Sequence, residues 1–219
     1  NVFAKTNQGW GNAMRGICQN AEGEIFFLHE ADTAAIYRMK KDGLGVEKVA
    51  LKSSGIKEQY PLRSAKYLVF DEKRNCIWTM TNTLLKIDVE NQRIESFTSV
   101  TFDREYSTFN PIDLFPDGRI LVGNTLDKLC IFDPESGNIE KLFEDNPSKY
   151  FRIYPKVLMV EAEDRFWVGT HDRGLFKFNI EGDLLQHYHT ESTPALPNNH
   201  VSSIYQNGKD KTIWVGTLG

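Results

Sequence analysis

Apolar residues in this chain come in short alternating bursts, each closed by a polar turn, and the bursts recur in a fixed order. "MRGICQN" at 14–20, "KYLVFDE" at 66–72, "PIDLFPD" at 111–117, "KVLMVEAED" at 156–164 and "HVSSIYQN" at 200–207 all read as half-buried strands. Each runs into a turn of Gly, Asp, Asn or Lys, such as Glu22-Gly23 or Asp117-Gly118. A second apolar strand follows, centred on Phe26, Trp78, Leu121, Trp167 and Trp214. After a polar loop comes a third strand: "AIYRMK", "LLKIDV", "KLCIFD" or "GLFKFN". A fourth, "RIESF", "IEKLF" or "LLQHY", ends the unit. No stretch carries a sustained helical period with caps.

The large apolar residue of the second strand recurs at spacings of 52, 43, 46 and 47 residues. A period of about 45 residues with four short antiparallel strands per unit predicts the blades of a β-propeller. The reading is therefore all-β, with blades at approximately 14–58, 64–100, 110–144 and 154–190 and a partial blade at 199–219. "VFAKTNQ" at 2–8 reads as the last strand of a preceding blade. Four full units with two partial ones predict an incomplete or truncated propeller, a strained five-bladed closure being the alternative. Open blade edges would invite pairing with another chain, a homodimer included. A large flat side chain at the same place in each blade fills the space between neighbours. Gly169 and Gly216, just after that position, are expected where backbone passes closely or bends.

Composition removes several classes of function. Apolar residues are 40% and charged residues 26% of the 219, with a formal charge of −4 and both signs dispersed. No basic stripe marks a nucleic-acid surface. No apolar run reaches the length of a membrane helix. Neither GxxxxGK[ST] nor GxGxxG is present, so no nucleotide cofactor is expected. Cys18, Cys76 and Cys130 have no metal spacing and read as buried free thiols, although a Cys18–Cys76 bridge is conceivable. His187 and His189, two apart, share a strand face, but on the outermost strand they read as surface or inter-blade residues rather than metal ligands. Glu161, Glu163 and Asp164 could serve as acid and base, yet their place before the Trp strand reads as a solvated turn.

"LPNNHVSSIYQNGKDKTIWVGT", 196–217, resembles the two-component regulator propeller repeat, through Leu196, Pro197, Asn199, Val201, Ile204, Trp214, Val215, Gly216 and Thr217. The preceding blade fits through Trp167, Val168, Gly169, Thr170, Gly174 and Leu175. The resemblance is specific over 164–219, fair over 110–143 and degenerate over 14–97, where Trp78 lacks the Gly-Thr and Phe26 replaces Trp. It implies the periplasmic sensor region of a hybrid two-component histidine kinase of the kind typical of gut Bacteroidetes. Many such regions respond to oligosaccharides and control polysaccharide-utilisation genes. On that reading this segment performs no catalysis, needs no cofactor or metal, and works with the remaining blades and neighbouring domains of its parent chain.

Ligands of propellers usually meet the loops joining the second strand to the third, and the fourth to the next blade's first. Those loops nominate Arg63, Asn82, Tyr106, Asn110, Asn124, Arg152, Tyr154, His171, Arg173, Asn199 and His200 as ligand-binding residues. Aromatic faces beside Arg and Asn suit sugars, which need both stacking and hydrogen bonds to hydroxyls. The rival readings are a protein-interaction scaffold without a small ligand, and a propeller enzyme, a lyase or hydrolase. An enzyme would need acids, Asn or His from several blades converging on the axis; the sequence displays no such constellation.

Overall fold

The computed structural model describes residues 13–30, 34–53, 62, 64–101, 110–123, 129–143 and 153–219. Every regular element among them is a β-strand, and no helix is long and apolar enough to cross a membrane. The chain divides into two units, Asn1–Phe102 and Asp103–Gly219. The strand expected at 2–8 lies outside the described residues.

In the first unit, β1 (Ala13–Gln19), β2 (Ile25–Glu30), β3 (Ala34–Met39) and β4 (Val46–Lys48) form one antiparallel meander. A second meander is made of β6 (Leu68–Asp71), β7 (Cys76–Met80), β8 (Thr83–Asp88) and β9 (Arg93–Thr101). The short β5 (Lys52–Ser53) follows the first meander in sequence but pairs parallel with β9 at the outer edge of the second. In the second unit, β10 (Ile112–Leu114), β11 (Ile120–Gly123), β12 (Leu129–Phe132) and β13 (Ile139–Lys141) form a third sheet. A fourth contains β14 (Pro155–Ala162), β15 (Arg165–Thr170), β16 (Leu175–Asn179) and β17 (Leu184–Tyr188). A hairpin of β18 (Val201–Gln206) and β19 (Ile213–Thr217) completes the described chain. These four-stranded antiparallel sheets are propeller blades.

Face-to-face packing accounts for the burial pattern. Phe26, Leu28 and Ile36 of the first sheet meet Leu68, Ile77 and Leu85 of the second, with Phe26 stacked on Phe70 at 5.5 Å between ring centroids. In the second unit Phe166, Val168, Phe176 and Phe178 face Phe115, Leu121 and Ile131 of the third sheet. Trp167 and Leu175 face the other way, onto Val201, Ile204, Ile213 and Val215 of the hairpin. Alternation along β15 therefore sends successive side chains to opposite neighbours, and every residue of the strand after Arg165 is buried. β7, β11 and β12 are likewise buried at every position.

Backbone approach between sheets is tight at Gly169. A Cβ there would lie 2.5 Å from Val157 Cγ1 and 2.7 Å from Val201 Cγ1, so the hairpin could not seat against β15 if this residue were larger. At Gly16, where β1 bulges, φ is +54° and a Cβ would meet the Lys66 carbonyl oxygen at 3.0 Å.

The buried indoles are anchored by acids at the end of the preceding strand. Trp78 is fully buried and donates through Nε1 to Asp71 Oδ2 at 3.0 Å, while Arg74 Nη1 donates to the same oxygen at 2.7 Å. In the fourth sheet Trp167 Nε1 donates to Glu161 Oε2 at 2.9 Å, and Lys177 Nζ reaches that oxygen at 2.6 Å. The same ammonium lies 4.9 Å from the Trp167 ring centroid, in cation–π range. Glu163 and Asp164 are exposed turn residues, but Glu161 is not: it ties the indole to the third strand of its blade.

Asp113 joins two blades of the second unit. Its Oδ1 accepts from the Leu114 N–H at 2.8 Å and its Oδ2 from the Val160 N–H, on β14, at 2.6 Å. Burial raises its pKa to about 6, against the lowering effect of those two bonds. The three thiols are free, with Cys76 and Cys130 buried and Cys18 half-buried. Burial pushes each up to about 12, so little reactive thiolate exists at neutral pH.

Exposed large apolar residues include Met14 and Ile17 on the first sheet, Leu184 and Leu185 on β17, and Tyr205 and Trp214, directly paired across β18 and β19. Trp214 is 63% exposed where its counterpart Trp167 is 5% exposed.

Two outcomes are expected. Asp71→Ala strands the buried indole N–H and Arg74, and should lower the unfolding free energy of the first unit by about 3–5 kcal/mol in denaturant titration. Asp113 titrates near 3.8 when unfolded and about 6 when folded, so the native state holds the extra proton between those values. Its stabilising effect is full below pH 4 and is withdrawn as pH rises to 6. The stability of the parent relative to Asp113→Asn should thus fall across that window, by an amount on the order of 2–3 kcal/mol, and level off above it.

Candidate functional site

One end of the fourth sheet and the hairpin gathers most of the nominated residues that are described. The turn from β15 to β16 is built on Thr170, whose Oγ1 donates to the Gly174 carbonyl at 2.7 Å and accepts from the Arg173 N–H at 3.0 Å. This fixes His171, Asp172 and Arg173 as an exposed tip. The tip is tied to the segment before β14 by the His171 N–H, which donates to the Tyr154 carbonyl at 3.3 Å. It is tied to the loop before β18 by the Gly174 N–H, which donates to the Asn199 carbonyl at 2.8 Å. That loop is closed by the Thr190 N–H, which donates to Asn199 Oδ1 at 2.9 Å, and by the His200 N–H, which donates to Asn198 Oδ1 at 2.8 Å. Asn199 thus spends its side-chain oxygen on holding the loop.

Two features emerge from this scaffold. The first is a cluster of bases: the His171 and His200 rings lie 4.6 Å apart, and Lys156 Nζ contacts His200 Nε2. Desolvation, then the Lys156 ammonium and His171, hold His200 below the ordinary histidine pKa. The second is an open cleft of about 460 Å³ on the flank of the fourth sheet. Phe176 and His187, stacked at 3.9 Å, and Leu184 form its apolar side, while Asp172, Arg173 and Asn199 supply the polar rim. His187 Nε2 donates to the Arg173 carbonyl at 2.8 Å, which locks the imidazole flat against Phe176. The size and the mixture of flat apolar surface with a few polar groups suit a small ligand.

Of the residues nominated from sequence, Tyr154, His171, Arg173, Asn199 and His200 come together here. Asn82 lies in the β7–β8 turn of the first unit, and Asn110 is buried ahead of β10. Arg63, Tyr106, Asn124 and Arg152 lie outside the described residues. Sequence reasoning did not single out Lys156, Asp172, Phe176 or Leu184, and it placed His187 and His189 on the surface or between blades. His187 lines the cleft beside His189, with the two rings 4.8 Å apart. Among the described residues no group of three metal-ligating side chains exists.

The sequence profile of the family described as "Two component regulator propeller" matches residues 195–219. That segment, the loop before β18 with the hairpin itself, is one such repeat. No curated protein sequence matches the chain. Its fold is that of two structures from B. thetaiotaomicron, each described as the extracellular domain of a hybrid two component system. With BT4673 the identity is 16% and the TM-score 0.68, covering 97% of this chain and 27% of that one. With BT3049 the values are 16% and 0.69, covering 94% and 28%. PorZ of Porphyromonas gingivalis, described as an essential surface component of the type-IX secretion system, has 12% identity and a TM-score of 0.63, with 93% and 31% covered. The chain therefore spans between a quarter and a third of each of these proteins.

An NMR pH titration checks the electrostatics of the base cluster. His200 should titrate below an ordinary histidine, and Lys156→Gln should move it part of the way back up, since desolvation remains.

Proposed function

We propose that this chain is an extracytoplasmic, periplasmic ligand-sensing segment of a hybrid two-component sensor histidine kinase, responding to an oligosaccharide and controlling polysaccharide-utilisation genes. The observation that carries this reading is the two-component regulator repeat at 195–219, within a fold like that of the extracellular domains of such systems. The segment itself does no chemistry. Ligand would bind at the blade end where Tyr154, His171, Arg173 and His200 meet the cleft, and would shift signalling states only by its differential affinity for them. Tight inter-blade packing favours such a role, because a well-packed interface moves between discrete arrangements rather than deforming smoothly. The exposed Tyr205–Trp214 and Met14–Ile17 faces suit contact with further blades of the parent chain.

A thermal-shift screen of the 219-residue chain against oligosaccharides of defined length tests the proposal. Ligand at about a hundred times its Kd adds roughly 2.7 kcal/mol to the folded state, so one oligosaccharide class should raise Tm measurably. A flat response to every sugar would favour the scaffold reading. A response to divalent metal alone would favour an enzyme.

A further inference from the structure

The four-stranded blades differ in how their outermost strands are finished. β4 is Val46-Glu47-Lys48 and β13 is Ile139-Glu140-Lys141, each three residues long with its charged pair exposed. β9 runs for nine residues, and β5 is laid along its outer edge. Short length, charge and a covering strand are devices that keep an open edge from pairing with another chain. β17 has none of these. It is Leu184-Leu185-Gln186-His187-Tyr188, five residues without charge or proline, and it ends its sheet among the described residues. Its first four residues are exposed, Leu184 at 39% and Leu185 at 48%. The one irregularity that blunts it, a shift of register between Lys177 and Phe178, lies at the strand's start. His187 is drawn back onto Phe176 by its bond to the Arg173 carbonyl.

We infer that β17 pairs edge to edge with β17 of a second copy of this chain, antiparallel and about a twofold axis at Gln186. The occupant follows from the strand itself. Alternate N–H and C=O groups of an edge strand point away from its sheet and are matched by another such strand. β5 on β9 shows that the outer edge of a blade of this chain accepts one. Charge buried between two strands is costly, so an uncharged strand is best matched by an uncharged one. Among the outermost strands of the described blades, β17 is the strand of that kind. Self-pairing over its five residues sets Leu184 opposite Tyr188, Leu185 opposite His187 and Gln186 opposite its own copy. A leucine then meets an aromatic ring on either side of the axis, the type of cross-strand pair that stabilises a sheet. The two central amides can donate to and accept from each other. The contact is isologous and closes at two copies. It stands whether or not the segment senses an oligosaccharide. An edge this short makes a small interface, so association is weak and reversible.

Sedimentation velocity of the 219-residue chain tests this, from about 10 µM to about 1 mM, a range suited to a small interface. The weight-average sedimentation coefficient should rise from monomer toward dimer and no further. Amide hydrogen exchange across 184–188 should slow over the same range, and exchange across 213–217 should not. Gln186→Lys and Gln186→Glu each set like charges directly opposite in the pair, and each should weaken dimerisation by about fivefold or more. An equimolar mixture of the two should restore it, since unlike charges then face each other. Trp214→Ser, on the exposed face of the hairpin, should leave dimerisation unchanged. The exchange measurement on the unsubstituted chain needs no variant, and unchanged melting curves exclude misfolding in the others. A chain that stays monomeric at about 1 mM would overturn the inference. So would a dimer that survives both Gln186 substitutions, one that the mixture does not restore, one whose protection falls at 213–217, or one that Trp214→Ser abolishes.

Discussion

Burial of each blade's second strand from both sides is the constraint on which the rest depends. A sheet of four short strands is marginal alone, and becomes stable only when its two faces are covered. β15 meets this by sending Phe166 and Val168 to one neighbour and Trp167 to the other. The polar atoms carried inside by that solution must then be satisfied. The indole N–H of Trp78 finds Asp71, and that of Trp167 finds Glu161. Close backbone passage at Gly169 and the carboxyl bridge from Asp113 to β14 follow from the same need to bring sheets together without gaps or orphaned donors.

The candidate site is a by-product of this packing. Strand ends cannot all be covered, so turns and inter-blade loops collect at the edge of each sheet. There the side chains are freed from packing and can carry ligand chemistry. The turn 171–174 and the loop 189–200 are nonetheless rigid, because Thr170, Asn198 and Asn199 close them with side chain-to-backbone bonds. Rigidity of this kind reduces the ordering cost of binding.

Much of the fold could be read from the chain itself. Trp78, Leu121 and Trp167 recur at a steady spacing because the same inter-blade gap recurs, and alternation marks the half-buried first strands. Glu161 is less legible. An acid just before a turn reads as solvated, and only the strand pairing that sets it beside Trp167 reveals its role. Lys156 offered no local signal either, since a lysine at a strand start is commonplace; its importance comes from His200, 44 residues away. The place of His187 on the fourth strand marks it as a surface or inter-blade residue. What that place could not convey is that its cross-strand partner, Phe176, gives the ring a flat surface beside a cleft. The loop residues Tyr154, His171, Arg173 and His200 were legible because turn chemistry is local. Their mutual contact was not, because it depends on how neighbouring strands end.

The two faces of the fourth sheet differ in kind, and the difference has a directional consequence. One presents Phe166, Val168, Phe176 and Phe178; the other presents Trp167, Met159 and Leu175. An interface between unlike faces is heterologous, so it has a head and a tail, and it propagates instead of terminating in a twofold pair. Tyr205 and Trp214 repeat the tail side, at the positions Met159 and Trp167 hold one unit earlier. A blade can therefore be gained or lost by duplication or deletion of one unit without inventing new surface chemistry, and the turns can diverge while the stacking polarity is conserved.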